Sequence, residues 1–138
     1  MALSAGKIDS FRRSRSRVLF YVEDAIRPHA QLQAGFVLSF YASIFGHKKK
    51  VTEEIIERLQ LREFLRARVS DLSKGTAKRL LIGLGLLSTQ PILMLDEPFD
   101  GLDLKQMLEV VRLLREIFGR QGPRFLGHGC TGSKNNRP

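Results

Sequence analysis

The sequence predicts an α/β chain, a helical unit joined to part of a parallel-sheet core. Three observations carry that expectation. Ile92–Leu95 is a continuous apolar run, the pattern of a parallel strand buried on both faces. Arg17–Val22 (RVLFYV) is a second short run of strand type, rich in β-branched and aromatic residues. Between and after these runs, apolar residues recur at helical spacing.

Taken in order, residues 1–16 are polar, Ser/Arg-rich and without sustained periodicity, and read as a poorly ordered basic lead. The strand Arg17–Val22 follows, then a loop at Glu23–Ala30 that contains Pro28. Leu32–Phe45 reads as a helix with Phe36, Val37, Phe40, Ile44 and Phe45 at helical spacing, closed by Gly46. Thr52 is expected to cap a second helix, with Glu53 and Glu54 in its first turn, where the dipole favours anions, and Ile55, Ile56, Leu59 and Leu61 on its apolar side. Arg62–Val69 reads as a short third helix. Leu80, Leu81, Leu84 and Leu87 define a buried helix in which Gly83 and Gly85 allow close packing, ended by Pro91. After Ile92–Leu95, Asp103 caps an amphipathic helix using Leu108, Val111, Leu114, Ile117 and Phe118, stopped by Gly119 and Gly122–Pro123. Arg124–Leu126 can start one more strand, and residues 129–138 read as a disordered tail.

With 138 residues there is room for one domain with a modest core, and an apolar fraction of 43% is ordinary for a globular protein. No apolar run approaches the roughly 18 residues that span a bilayer. The first ten residues lack the apolar region of a secretory signal. A lone cysteine, Cys130, excludes an internal disulfide framework and fits a reducing compartment. The net charge of +9 raises nucleic acid as a partner. Its distribution argues against that partner. Lys7, Arg12, Arg13, Arg15 and Arg17 stand against Asp9 near the start, Arg120, Arg124, Lys134 and Arg137 crowd the end, and the body between is close to neutral. Such a body with basic ends is ordinarily a solvated globule with tails, basic arms that touch phosphates or anionic lipid being the alternative.

The chemistry lies in the second half. In Ile92–Pro98 (ILMLDEP), a strand delivers Asp96 and Glu97 to its carboxyl end, the edge where open α/β sheets bind ligands. One carboxylate there can hold Mg²⁺, which takes oxygen ligands, and the next can orient or deprotonate a water. A strand running into an acidic turn would look the same, and taken alone that plainer account wins. Twenty-three residues upstream of Asp96, Ser73 and Gly75 open a helix. Free amides and the positive end of the dipole make an anion site at such a terminus, and glycine lets a phosphate approach the backbone. A serine cap with a nearby glycine, found at many helix starts, is the plain alternative.

The ordered set changes the balance. DEPFDGLD (Asp96–Asp103) resembles the Walker B segment and D-loop of ATP-binding cassette (ABC) ATPases. LSKGT (Leu72–Thr76) is similar to their LSGGQ signature, with Lys74 in place of the first glycine and Thr76 in place of the glutamine. LQAGFVLSFYASIFG (Leu32–Gly46) is similar to the stretch that faces the membrane partner in exporter-type cassettes, and Glu23 or Asp24 stands where the family has its Q-loop glutamine. The resemblance covers about residues 17–118 and implies a P-loop NTPase of ABC-cassette type, incomplete. On that reading residues 17–128 are a partial ATP-binding domain, with a helical subdomain at about 30–75 and a Walker B half at about 76–128. It implies ATP and Mg²⁺ as cofactors: Leu72, Ser73, Lys74, Gly75, Thr76 and Asp103 at the nucleotide, Asp96 on Mg²⁺, Glu97 as catalytic base and His128 as a switch histidine, a tail histidine being the alternative for the last. It implies a second cassette subunit and a membrane-spanning transporter subunit as partners, the latter met through Leu32–Gly46, and a cytoplasmic location on the inner face of the membrane.

The glycine loop G-x-x-x-x-G-K-[ST] that grips nucleotide does not occur. Gly6–Lys7 is followed by Ile8, and Gly127–Gly132 continues as Ser133–Lys134, in reversed order. The expectation is a truncated or degenerate transporter ATPase subunit, inactive alone. A DNA-repair or chromosome-type ABC ATPase shares the same motifs, but it separates its halves with long coiled coils, and no heptad run appears. A non-catalytic module that binds a membrane subunit is the third class.

Overall fold

In the computed structural model, residues 19–23, 27–88, 90 and 92–119 are described. The basic lead, Arg17 and Val18, Asp24, Pro91, the strand expected at Arg124–Leu126, His128, Cys130 and the tail lie outside them.

Two strands, β1 (Leu19–Val22) and β2 (Ile92–Leu95), pair in parallel with Leu19 opposite Ile92 and Val22 opposite Leu95. The amide of Asp96 donates to Val22 O at 2.9 Å and carries the ladder one bond further. The crossover between the strands holds the whole helical unit. The expectation of a strand buried on both faces needs correction. Leu93 and Leu95 are buried, whereas Ile92 is exposed and Met94 half-buried. Alternation is the pattern of a sheet covered on one face, and the described residues supply that cover from one side.

Helix α1 (Ala34–Ile44) begins without a side-chain cap. Its first amides are satisfied from the crossover, Ala34 N–H donating to Ala67 O (3.0 Å) and Gly35 N–H to Leu65 O (2.9 Å). It ends in a Schellman motif: Gly46 takes φ +70°, Gly46 N–H donates to Ser43 O and His47 N–H to Ala42 O. Helix α2 (Lys49–Arg58) starts a turn earlier than the sequence indicated, with Lys48 in the cap position. Thr52 lies inside the helix and is buried beside Ile55 and Ile56, so it faces the core and caps nothing. Glu53 and Glu57 serve as partners for Arg62, an exposed cluster that contributes little to stability. The helix expected over Arg62–Val69 is two short 3₁₀ turns, Arg62–Phe64 and Val69–Asp71. The carbonyls of Leu65 and Ala67 are spent on the amides of α1, which leaves them unavailable to a local α-helical ladder.

Helix α3 (Lys74–Leu87) runs through the centre and is buried along nearly its whole length. Gly83 and Gly85 do what their positions indicated. A Cβ on Gly83 would stand 3.2 Å from Leu59 Cδ1, and one on Gly85 would stand 2.5 Å from Leu93 Cδ1 and 3.3 Å from Phe20 Cδ1. Helix α4 (Leu104–Phe118) carries the predicted cap and buries a face that overlaps the expected one in part, at Leu114 and Phe118. Val110, Leu113 and Leu114 enter the core, while Leu108 and Ile117 remain exposed. Apolar residues line more than one side of α4, and periodicity alone does not choose between the sides.

Candidate functional site

The N-terminus of α3 and the loop after β2 meet. Ser73 is the N-cap, and its hydroxyl accepts from Thr76 N–H at 3.2 Å and lies 2.9 Å from Thr76 Oγ1. Leu72 is anchored by burial of its side chain and by Arg27, whose Nη1 donates to Leu72 O (2.9 Å) and Val69 O (3.2 Å). Of the five residues Leu72–Thr76, Ser73 and Lys74 are exposed and the other three buried. The Thr76 amide is therefore occupied by the cap. The room that Gly75 leaves is filled from within the chain: a Cβ there would overlap the carbonyl oxygen of Gly101 and lie 3.1 Å from its carbon. Lys74 forms an ion pair with Asp100 on the same loop.

That loop turns sharply. Glu97 has φ +43° and Gly101 φ +78°, both left-handed. Asp100 N–H donates to Glu97 O at 3.1 Å and Leu102 N–H to Phe99 O at 3.1 Å. Asp96 is partly buried at the end of β2, and Glu97 is exposed. Asp103 spends its carboxylate on α4, accepting from Gln106 N–H at 2.8 Å, while Gln106 Oε1 accepts from Asp103 N–H at 3.3 Å. Glu23, exposed, follows β1 next to this edge. Partial desolvation, the charges of Asp96 and Glu23 and a hydrogen bond to Asp96 together raise the Tyr21 phenol above its ordinary range.

Three neighbours of the site were not singled out from the sequence. Tyr21 touches Asp96 from the opposite strand. Lys78 and Arg79 lie buried in α3, Lys78 Nζ donating to Asp96 O at 2.9 Å. Arg79 Nη1 donates to Leu59 O (3.0 Å) and Gln60 O (3.2 Å), Nη2 to Thr76 Oγ1 (3.2 Å), and the guanidinium lies 5.9 Å from the Phe64 ring centre. Burial pushes Arg79 below its ordinary pKa, and the Asp103 charge acts in the other direction. Two adjacent cations leading directly into the apolar run Leu80–Leu87 were the available signal.

Among the described residues no group of three or more His, Cys, Asp or Glu can hold a metal ion. The donor set is one hard carboxylate, Asp96, beside a second, Glu97. That suits Mg²⁺, which uses one or two carboxylates together with phosphate oxygens and waters and needs no all-protein cage.

A family model described as "ABC transporter" matches residues 3–100. The phosphonates import ATP-binding protein PhnC of Trichormus variabilis is 35% identical over 85 residues, 59% of this chain and 35% of that protein. The macrolide export ATP-binding/permease protein MacB of Bartonella henselae is 27% identical over 117 residues, 84% of this chain and 18% of that protein. The chain thus spans about a third or less of the length of these relatives. A solved structure described as the ATP-binding subunit of an ABC transporter superposes with a TM-score of 0.68 at 21% identity, covering 84% of this chain and 49% of that one, which shows the fold. Among the described residues no helix is long and apolar enough to cross a membrane. Most of the sequence lies inside the matched family model, and the chain belongs to the ABC transporter family as part of an ATP-binding cassette.

Proposed function

We propose that the chain acts as an ATP-binding subunit of an exporter-like ABC transporter, supplying the signature and Walker B half of an ATP sandwich to a partner cassette. The observation that carries this reading is the junction of the Ser73-capped end of α3 with the Asp96–Glu97 loop, closed by Gly75 against Gly101. The two segments of the signature–Walker B pattern, distant in sequence, form one surface.

On this reading Ser73 and the dipole of α3 face the γ-phosphate of an ATP held by the partner, in a head-to-tail pair. Leu72 and Thr76 hold that end of the helix rigid from the buried side. Lys74 adds a cation that Asp100 balances. Asp96 is the residue that would hold Mg²⁺, whose charge on the phosphate oxygens favours phosphoryl transfer. Glu97, exposed beside it, orients the attacking water and accepts its proton. Asp103 fixes the loop by capping α4. His128 is the residue proposed to sense the γ-phosphate.

The membrane subunit is proposed to dock on α1. Phe36, Phe40 and Ile44 are 58%, 45% and 58% exposed and run with Leu32 along one side, while Ala34, Val37, Leu38 and Ala42 bury the other. Phe36 and Phe40 stack with centroids 6.3 Å apart. A contiguous apolar stripe of this kind marks an interaction surface. The similarity of this stretch to exporter-type cassettes supports the exporter-like reading, and such a subunit sits in the cytoplasm on the inner face of the membrane. Phe40→Asp is expected to abolish co-purification with the membrane subunit while the chain stays folded, the loss of the half-buried ring costing about 1–2 kcal/mol. Asp96→Ala is expected to leave co-purification intact.

The purified chain is expected to show no ATP turnover, because its residues contain no glycine loop for phosphate. Mixed with a cassette that carries that loop, it is expected to contribute turnover that Glu97→Gln lowers by about 10²–10⁴-fold, the range of general base catalysis. Turnover by the chain alone that vanishes on Glu97→Gln overturns the shared-site reading.

A further inference from the structure

Lys78 lies on the second turn of α3 and is 2% exposed. A buried ammonium persists only where hydrogen bonds replace its water. One of those bonds goes to Asp96 O at 2.9 Å, across 18 residues of sequence. That carbonyl belongs to the peptide plane that leads into Glu97. The N–H of Asp96 is held as well, by Val22 O at 2.9 Å. Just beyond this peptide, Glu97 adopts φ +43°. A non-glycine residue in the left-handed region is unfavourable in isolation and persists only where its surroundings over-determine it. Rotation of the Asp96–Glu97 peptide would relieve that conformation, and the same rotation would pull Asp96 O away from Lys78.

We infer that Lys78 is a positioning residue: its ammonium locks the Asp96–Glu97 peptide plane, keeps Glu97 left-handed and ties its carboxylate to the helix that Ser73 begins. Ser73 and Lys78 are five positions apart on the rigid start of α3. A displacement of that helix end is therefore passed to the backbone of Glu97 without an intervening loop. The inference deepens the function proposed above, and it rests on that reading for the consequence at Glu97, although the conformational link does not.

The test is NMR of the full 138-residue chain. A left-handed residue gives a strong intraresidue amide–Hα cross-peak, because the two protons are close. Wild type is expected to show this at Glu97, Lys78→Arg to keep it, and folded Lys78→Met to lose it while β1–β2 cross-peaks persist. Retention of the strong peak in folded Lys78→Met overturns the inference. If Lys78→Met does not fold, wild type decides: the Lys78 ammonium is expected as a slowly exchanging resonance with a scalar coupling across the hydrogen bond to the Asp96 carbonyl carbon, and absence of that coupling overturns the inference. In the mixed assembly with a glycine-loop cassette, Lys78→Met is expected to lower kcat with KM for ATP unchanged. A changed Glu97 conformation with kcat unaltered upholds the positioning role and overturns the catalytic reading of Glu97 instead.

Discussion

Gly75→Ala is expected to destabilise the folded chain by about 2–3 kcal/mol, the upper part of the range for overpacking. The sign runs against local propensity, since alanine in a helix is favoured over glycine by about 1 kcal/mol. The added methyl group would overlap Gly101 O, a backbone atom that no side-chain rotation can move away. Relief requires the Asp96–Asp103 loop to shift from the end of α3, which also pulls Asp100 away from Lys74. Gly46→Ala serves as the comparison. There φ is +70° and nothing lies within 4 Å of an added Cβ, so only the left-handed penalty of about 1 kcal/mol applies. Urea denaturation of both variants checks the order. Equal losses at the two glycines, or a gain at Gly75, would show that the loop does not pack on the helix as described.

Arg79→Met is expected to cost about 3 kcal/mol, with hydrogen bonds from a charged donor contributing about 1.5–3 kcal/mol each and the sum falling short of additive. Methionine approximates the length and volume of the arginine stem, so the loss reports the polar head and not a cavity. The substitution strands Leu59 O and Gln60 O at the end of α2 and Thr76 Oγ1 at the start of α3. Arg79 Nε has no hydrogen-bond partner and is buried, a cost that methionine removes and that holds the expected loss below the sum of the bonds. Arg79→Lys is expected to recover less than half of it, because a single ammonium cannot span three acceptors held by a planar fork. Thermal unfolding of the three proteins checks this. A methionine variant as stable as wild type would mean that the guanidinium does not organise the junction of α2 and α3.

Much of the architecture was legible in the residues themselves. The two strands, the helix over Leu32–Phe45 with its glycine stop, the Ser73 and Asp103 caps and the packing role of Gly83 and Gly85 each follow from local chemistry, where a residue type satisfies its own backbone or leaves room beside it. The motif order names Ser73, Asp96 and Glu97 as candidates from the residues alone. What the sequence left undecided was relational. Thr52 has the chemistry of a cap, but the core on its side of α2 claims it, and the cap position is Lys48, four residues earlier. The carbonyls of Leu65 and Ala67 could have continued a helix, yet the amides of α1 take them. Helix α4 offers apolar residues on several sides, and contact with the rest of the core selects Val110, Leu113 and Leu114. Gly75, read as room for a phosphate, is filled here by Gly101. Lys78 and Arg79 carry no motif that singles them out, and the fold buries them against Asp96 O and the end of α2. By itself the sequence determined which groups are present and how each treats its near neighbours. Only the tertiary structure decided which of them meet, because a buried donor takes the acceptor that packing brings to it, and that acceptor lies 18 or 20 residues away along the chain.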